Sequence, residues 1–137
     1  MDIDSLDRSL RQIAEMKNKL AALNYADEAY DTIEEELHTL EDDMMEKHGP
    51  YLEEAINYVH DEFCPDTEVL SPLAYLAKRY DSENGNFKVD LNEGVPVEID
   101  DYPGKETRLV IVPGPPRIIL QIGNEGQEVV WKAAKGF

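Results

Sequence analysis

A single cysteine, Cys64, in 137 residues leaves no internal disulfide and no cysteine-built zinc cluster within one chain, and it suits a reducing compartment. No apolar run approaches the roughly 18 to 20 residues that a membrane span needs. The opening Met1-Asp2-Ile3-Asp4-Ser5 carries neither the basic nor the apolar region of a signal peptide. The expectation is a cytoplasmic protein without a membrane partner. Bases are scarce too: 13 Lys and Arg stand against 30 Asp and Glu, for a net charge of −17. With no local basic patch, nucleic-acid backbones would repel the chain, and nucleic acid is not an expected partner. Glycine and proline are missing altogether before Gly49-Pro50, so nothing in the first third of the chain forces a helix to end.

What is present is 42% hydrophobic and 31% charged, enough apolar surface to fold throughout. From Ile3 to Met44 apolar residues recur in steps of three and four, through Leu6, Leu10, Ile13, Leu20, Ile33, Leu37 and Leu40, which is a helical stripe. One helix of about 44 residues is permitted; it would need a partner chain along its stripe, as in a coiled coil. The alternative breaks at Asn24-Tyr25-Ala26-Asp27. There Asn24 closes one helix in a left-handed conformation and Asp27 caps the next, giving a helical hairpin that lays four bases beside an acid-rich helix. Gly49 then ends that helix. Pro50 opens another, with Leu52, Ala55, Ile56, Val59 and Phe63 as its buried face and Cys64-Pro65 as its stop. A short last helix is expected from the Ser71 cap through Pro72 to Tyr80.

Beyond the polar turn Asp81-Ser82-Glu83-Asn84-Gly85 the period falls to two. Phe87, Val89 and Leu91 form one half-buried strand, and Val95, Val97 and Ile99 another, linked by Asn92-Glu93-Gly94, with Pro96 placing the second at an edge. Arg108–Val112, Arg117–Ile122 and Gln127–Lys132 follow as richer strands. The fold class expected is therefore α+β: a helical hairpin or long helix plus two shorter helices, then an antiparallel meander of about five strands. An acidic helical region, residues 1–80, and a sheet region, residues 81–137, would pack as one domain. Leu109-Val110-Ile111-Val112 and Ile118-Ile119-Leu120 are apolar at successive positions, so both faces of the sheet need cover. The helices cheaply cover only one, which leaves the second for the N-terminal helices, a ligand or a partner chain.

Charge is unevenly spread. Residues 1–26 hold four acids and four bases, whereas residues 27–68 hold sixteen acids and only Lys47. Ordinary solubility accounts for such a surface. Its functional readings are a docking face for a basic protein partner or a loose site for divalent cations, carried by Glu34-Glu35-Glu36 and Glu41-Asp42-Asp43.

Other constellations are weaker. Glu35 and His38 have the three-residue spacing that presents two ligands to one metal, and His60 and Cys64, four apart, could share a metal or ionise the thiol. The second Glu-x-x-His pair of a di-metal bundle is missing, because Asn57 stands where a carboxylate is needed before His60. Acidic neighbours and the adjacent Phe63 favour a buried structural thiol at Cys64. Asp81–Gly85 has its glycine misplaced for a calcium loop, Gly104-Lys105-Glu106-Thr107 lacks the spacing of a phosphate loop, and Pro113 to Pro116 reads as a strand connector. Three function classes remain. The foremost is a noncatalytic interaction or assembly protein, a homodimer through the spare apolar face and needing no cofactor. The second is a divalent-metal site around Glu35, His38, His60 and Cys64. The third is a small-molecule pocket lined by Tyr51, Tyr58, Tyr75 and Trp131.

Overall fold

The computed structural model describes residues 2–83 and 86–133. Helix α1, Ile3–Ala21, starts where the Asp2 carboxylate accepts from the Ser5 amide at 3.0 Å. It buries Leu6, Leu10, Ile13 and Ala14 and ends at Ala22, which is right-handed. A turn then leads to α2, Glu28–Phe63, so the hairpin is the form adopted. Its turn is closed differently from the expectation. Asn24 Oδ1 accepts from the Ala26 amide, and the Asp27 carboxylate accepts from the Asn24 amide instead of capping the helix that follows it.

Helix α2 does not stop at Gly49-Pro50 but runs through it for 36 residues, about 54 Å. Interior proline removes one amide donor, and the carbonyl that loses it belongs to Glu46, an exposed residue. Packing outweighs that local defect: Leu52, Ala55, Ile56 and Val59, one to two turns on, are all at most 1% exposed. The expected second and third helices are thus one rod. Its first half lies against α1 and its second half against the sheet.

The helix expected over Ser71–Tyr80 shrinks to a 3-10 turn, Pro72–Tyr75. Leu76 leaves it to form a parallel bridge with Ile111, and the Tyr80 hydroxyl accepts from the Ala77 amide and donates to the Ile111 carbonyl. Long-range bonding has taken the backbone groups a helix would need. Strands β1, Asp81–Glu83, and β2, Asn86–Lys88, then pair in an antiparallel ribbon, so part of the expected polar turn is strand; Asn84 and Gly85 lie outside the described residues. The main sheet has the order β3-β4-β5-β6, from Val95–Val97, Thr107–Val112, Arg117–Ile122 and Gly126–Lys132, antiparallel throughout. The segment around Phe87 therefore does not pair with that around Val95, which pairs with β4 instead.

Alternation sorts the sheet residues cleanly. Leu109, Ile111, Ile118 and Leu120 face α1 and the second half of α2, sharing one apolar cluster with Leu6, Leu10, Leu52 and Ile56. Val110, Val112 and Ile119 point the other way and meet Ala14, Ala77, Tyr80, Phe87 and Val89. The second face is covered from within the chain, by the segment that was expected to be helix and strand. Asn18 pins that segment: its side chain donates to the Tyr80 carbonyl and accepts from the Tyr80 amide, both at 2.8 Å. Arg117 adds a bond to the Phe87 carbonyl at 2.8 Å.

Candidate functional site

The acid-rich stretch forms the outer part of the helical hairpin. Between Glu28 and Asp43, helix α2 carries eight carboxylates and no Lys or Arg. Only Leu37 is buried along that stretch, whereas Ile33 and Leu40 from α2 and Met16, Leu20 and Leu23 from the α1 side stay half-buried. Two helices cannot close a seam on their own; each shows a ridge-and-groove surface that a third would fill. The result is an open groove of about 460 Å³ lined by Met16, Thr32, Glu35, Glu36, Thr39 and Leu40. Thr32, Glu36 and Thr39 fall on one side of α2 by four- and three-residue steps. The Thr39 hydroxyl donates back to the Glu35 carbonyl, leaving the rim to the two carboxylates. At the arm's tip Tyr25, 87% exposed, leans on Tyr30 with ring centroids 4.7 Å apart.

Among the described residues the bases of α1 form no ion pair with this surface. Arg11 bridges to Asp7 on its own helix, and the ion pair recorded on α2, Lys47 with Asp43, is also internal. What the two helices share is apolar packing, with Leu6, Leu10, Ile13, Leu37 and Met44 in one cluster.

Of the four candidate ligands, Glu35 and His38 are exposed on the arm, while His60 and Cys64 are buried at the other end of the same helix. Continuity through Pro50 separates the two pairs by roughly 35 to 40 Å, so one chain does not bring them together. Among the described residues no group of three or more His, Cys, Asp or Glu is arranged to hold a metal ion. His60 is a core residue with both nitrogens engaged. Nδ1 donates to the Thr67 carbonyl at 3.1 Å, and Nε2 lies 2.8 Å from the Tyr75 hydroxyl. That hydroxyl also accepts from the Leu70 amide, and the Thr67 carbonyl, which can only accept, holds a proton on Nδ1. Cys64 is 1% exposed, and burial pushes its thiol up to about 11, which suits packing rather than nucleophilic attack.

The aromatic pocket does not assemble either. Tyr75 is spent on His60 and Leu70, Tyr51 packs edge-on to Trp131 at 5.8 Å, and Tyr58 is 46% exposed. His48 is a further buried titratable group. It sits 5% exposed between the helices, with Nε2 3.3 Å from Ser5 Oγ and Nδ1 without a hydrogen-bond partner among the described residues. Its burial lowers its proton affinity below the ordinary histidine range.

Glu35 and Glu36 were legible as part of an acidic run; Thr32 and Thr39 were not, although their seven-residue spacing was a signal that they share a face. The chain matches no family model, no curated protein and no solved structure.

Proposed function

We propose that this protein is a noncatalytic interaction module whose helical arm is the element that docks. The reading rests on one observation: the α1–α2 seam remains half open along the arm, as a groove with an apolar floor and a carboxylate rim. Half-buried Met16 and Leu40 gain roughly 25 cal/mol for each square ångström of apolar surface that a partner covers. Unpaired carboxylates around them steer an oppositely charged partner and discriminate against acidic ones. The core histidine and thiol, by contrast, are committed to packing and hydrogen bonds.

The sheet face from which a homodimer was expected is covered within the chain by Ala77, Tyr80, Phe87 and Val89. Site-specific photo-crosslinking tests the arm as the docking element. A photoreactive residue at Thr39 should give a discrete adduct in cells that is lost in Glu35→Lys/Glu36→Lys. The same probe at exposed Glu54, on the sheet half of α2, should not. Indistinguishable adducts from the two positions would remove the proposal.

A further inference from the structure

Resting on that reading, we infer that the occupant of the groove is a cationic amphipathic helix of another protein. The shape selects a helix. The groove is built from side-chain ridges of two helices and offers no strand edge, so an extended peptide would leave its backbone amides and carbonyls unpaired against Met16 and Leu40. A helix brings its own backbone bonds satisfied and presents apolar residues at three- and four-residue steps to such a floor.

Charge selects the sign. Glu35 and Glu36 stand at the rim, within a stretch of α2 that has eight acids and no Lys or Arg. Lys and Arg flanking the apolar stripe of the incoming helix would lie against these carboxylates, and a cation reaching the tip would meet the exposed ring of Tyr25. Charge also argues against a second copy. A chain of net −17 brings acid to acid when two arms meet, and its one basic helix, α1 with four bases to three acids, buries Leu6, Leu10 and Ile13 in its own core.

The test uses the whole protein and three synthetic peptides of about 18 residues, long enough for a helix to form on contact. One is a leucine–lysine peptide with all leucines on one helical face; one has the same composition with the leucines scattered; one replaces lysine by glutamate. Affinity is read by titration calorimetry, and the bound face by amide chemical-shift changes. The amphipathic cationic peptide should shift Met16, Thr32, Glu35, Glu36, Thr39 and Leu40. It should bind at least about tenfold more tightly than the scattered peptide, and the glutamate peptide should not bind. Glu35→Lys/Glu36→Lys should weaken binding about tenfold. Glu53→Lys/Glu54→Lys, an equal change of charge at exposed positions outside the groove, should alter it by no more than about twofold. Equal affinity for the amphipathic and scattered peptides, or equal loss in the two charge reversals, would overturn the assignment by showing charge attraction without a groove. Concentration-dependent shifts of the same six amides without peptide would overturn it in favour of a second copy, while leaving the arm as docking element. An arm that answers neither to any peptide nor to its own concentration would overturn both.

Discussion

Alanine at Gly94 should destabilise this fold more than alanine at Gly104, which supplies the control. Both have positive φ, +108° and +76°, where a side chain is strained wherever it sits. They differ in what the new Cβ would touch. At Gly104 nothing lies within 4 Å; at Gly94 the Leu109 carbonyl oxygen is 2.4 Å away, with the Leu109 carbonyl carbon at 2.9 Å and Val110 Cβ at 3.1 Å. The obstacle is backbone in the middle of the sheet. Leu109 pairs with Val95, the residue after Gly94, so relieving the clash means moving β3 from β4 by on the order of half an ångström. Strand β3 has only three residues to hold it and Pro96 at its centre. Backbone strain of about 1 to 2 kcal/mol applies to both variants, and overpacking of about 1 to 3 kcal/mol applies to Gly94→Ala alone. The entropy alanine removes from the unfolded chain is alike at both sites and cancels in the comparison. Urea unfolding with unchanged m-values should place Gly94→Ala about 2 kcal/mol below Gly104→Ala. If the two midpoints coincide, or their order is reversed, the approach of β3 to β4 has been misread.

Asn18→Ala should cost about 2 to 3 kcal/mol in the same assay, because it strips two 2.8 Å bonds from the backbone of Tyr80. Asn18→Asp, which keeps only the acceptor, should not restore the loss. His48 should make the protein acid-sensitive. Its folded proton affinity is lowered by burial and by Lys47, against the raising influence of Asp2 and Asp43, so the unfolded chain takes up the proton first. Its contribution is present above about pH 6.5 and lost as pH falls through the lower folded value, and His48→Leu should flatten the decline in unfolding midpoint between about pH 7 and pH 5. Cys64 acts with the opposite sign. With its thiol raised from 9.0 to about 11, it contributes stability below pH 9 that fades as pH rises toward 11. A thiol reagent at about pH 8 should modify native Cys64 only as fast as the protein opens, and modification as rapid as in urea would contradict its burial.

Much of this architecture could be read from periodicity. Steps of three and four marked the helical stretch, the Asn24–Asp27 break offered as the alternative to one long helix fell where the chain turns, and the last three strands lie within one residue of where their apolar runs put them. The failures share a cause. At Gly49-Pro50 the local signal to stop is real, but its cost, one missing amide donor opposite the carbonyl of exposed Glu46, is smaller than the gain from burying the face beyond it. Between Leu76 and Leu91 the pattern is set by partners more than 20 residues distant: Ile111 for Tyr80, Asn18 for the Tyr80 backbone, Arg117 for Phe87. Leu91, alternating in step with buried Phe87 and Val89, is itself 37% exposed, because the chain has already turned away toward β3.

The same reasoning explains why the acidic run was visible and the groove was not. Composition alone locates eight carboxylates between Glu28 and Asp43, and composition alone is equally consistent with a solvated face. What separates docking from solubility is the state of the apolar residues beneath the charges. A merely soluble helix would bury its stripe fully and leave only carboxylates outside; here Leu6, Leu10 and Ile13 are at most 2% exposed near the sheet, while Met16, Leu20, Ile33 and Leu40 farther along the arm are not buried. The gradient follows from length, since α2 extends about 54 Å and the sheet supports only its second half. The open seam, beside an α2 stretch with eight carboxylates and no Lys or Arg, is therefore the feature on which the proposed docking role rests.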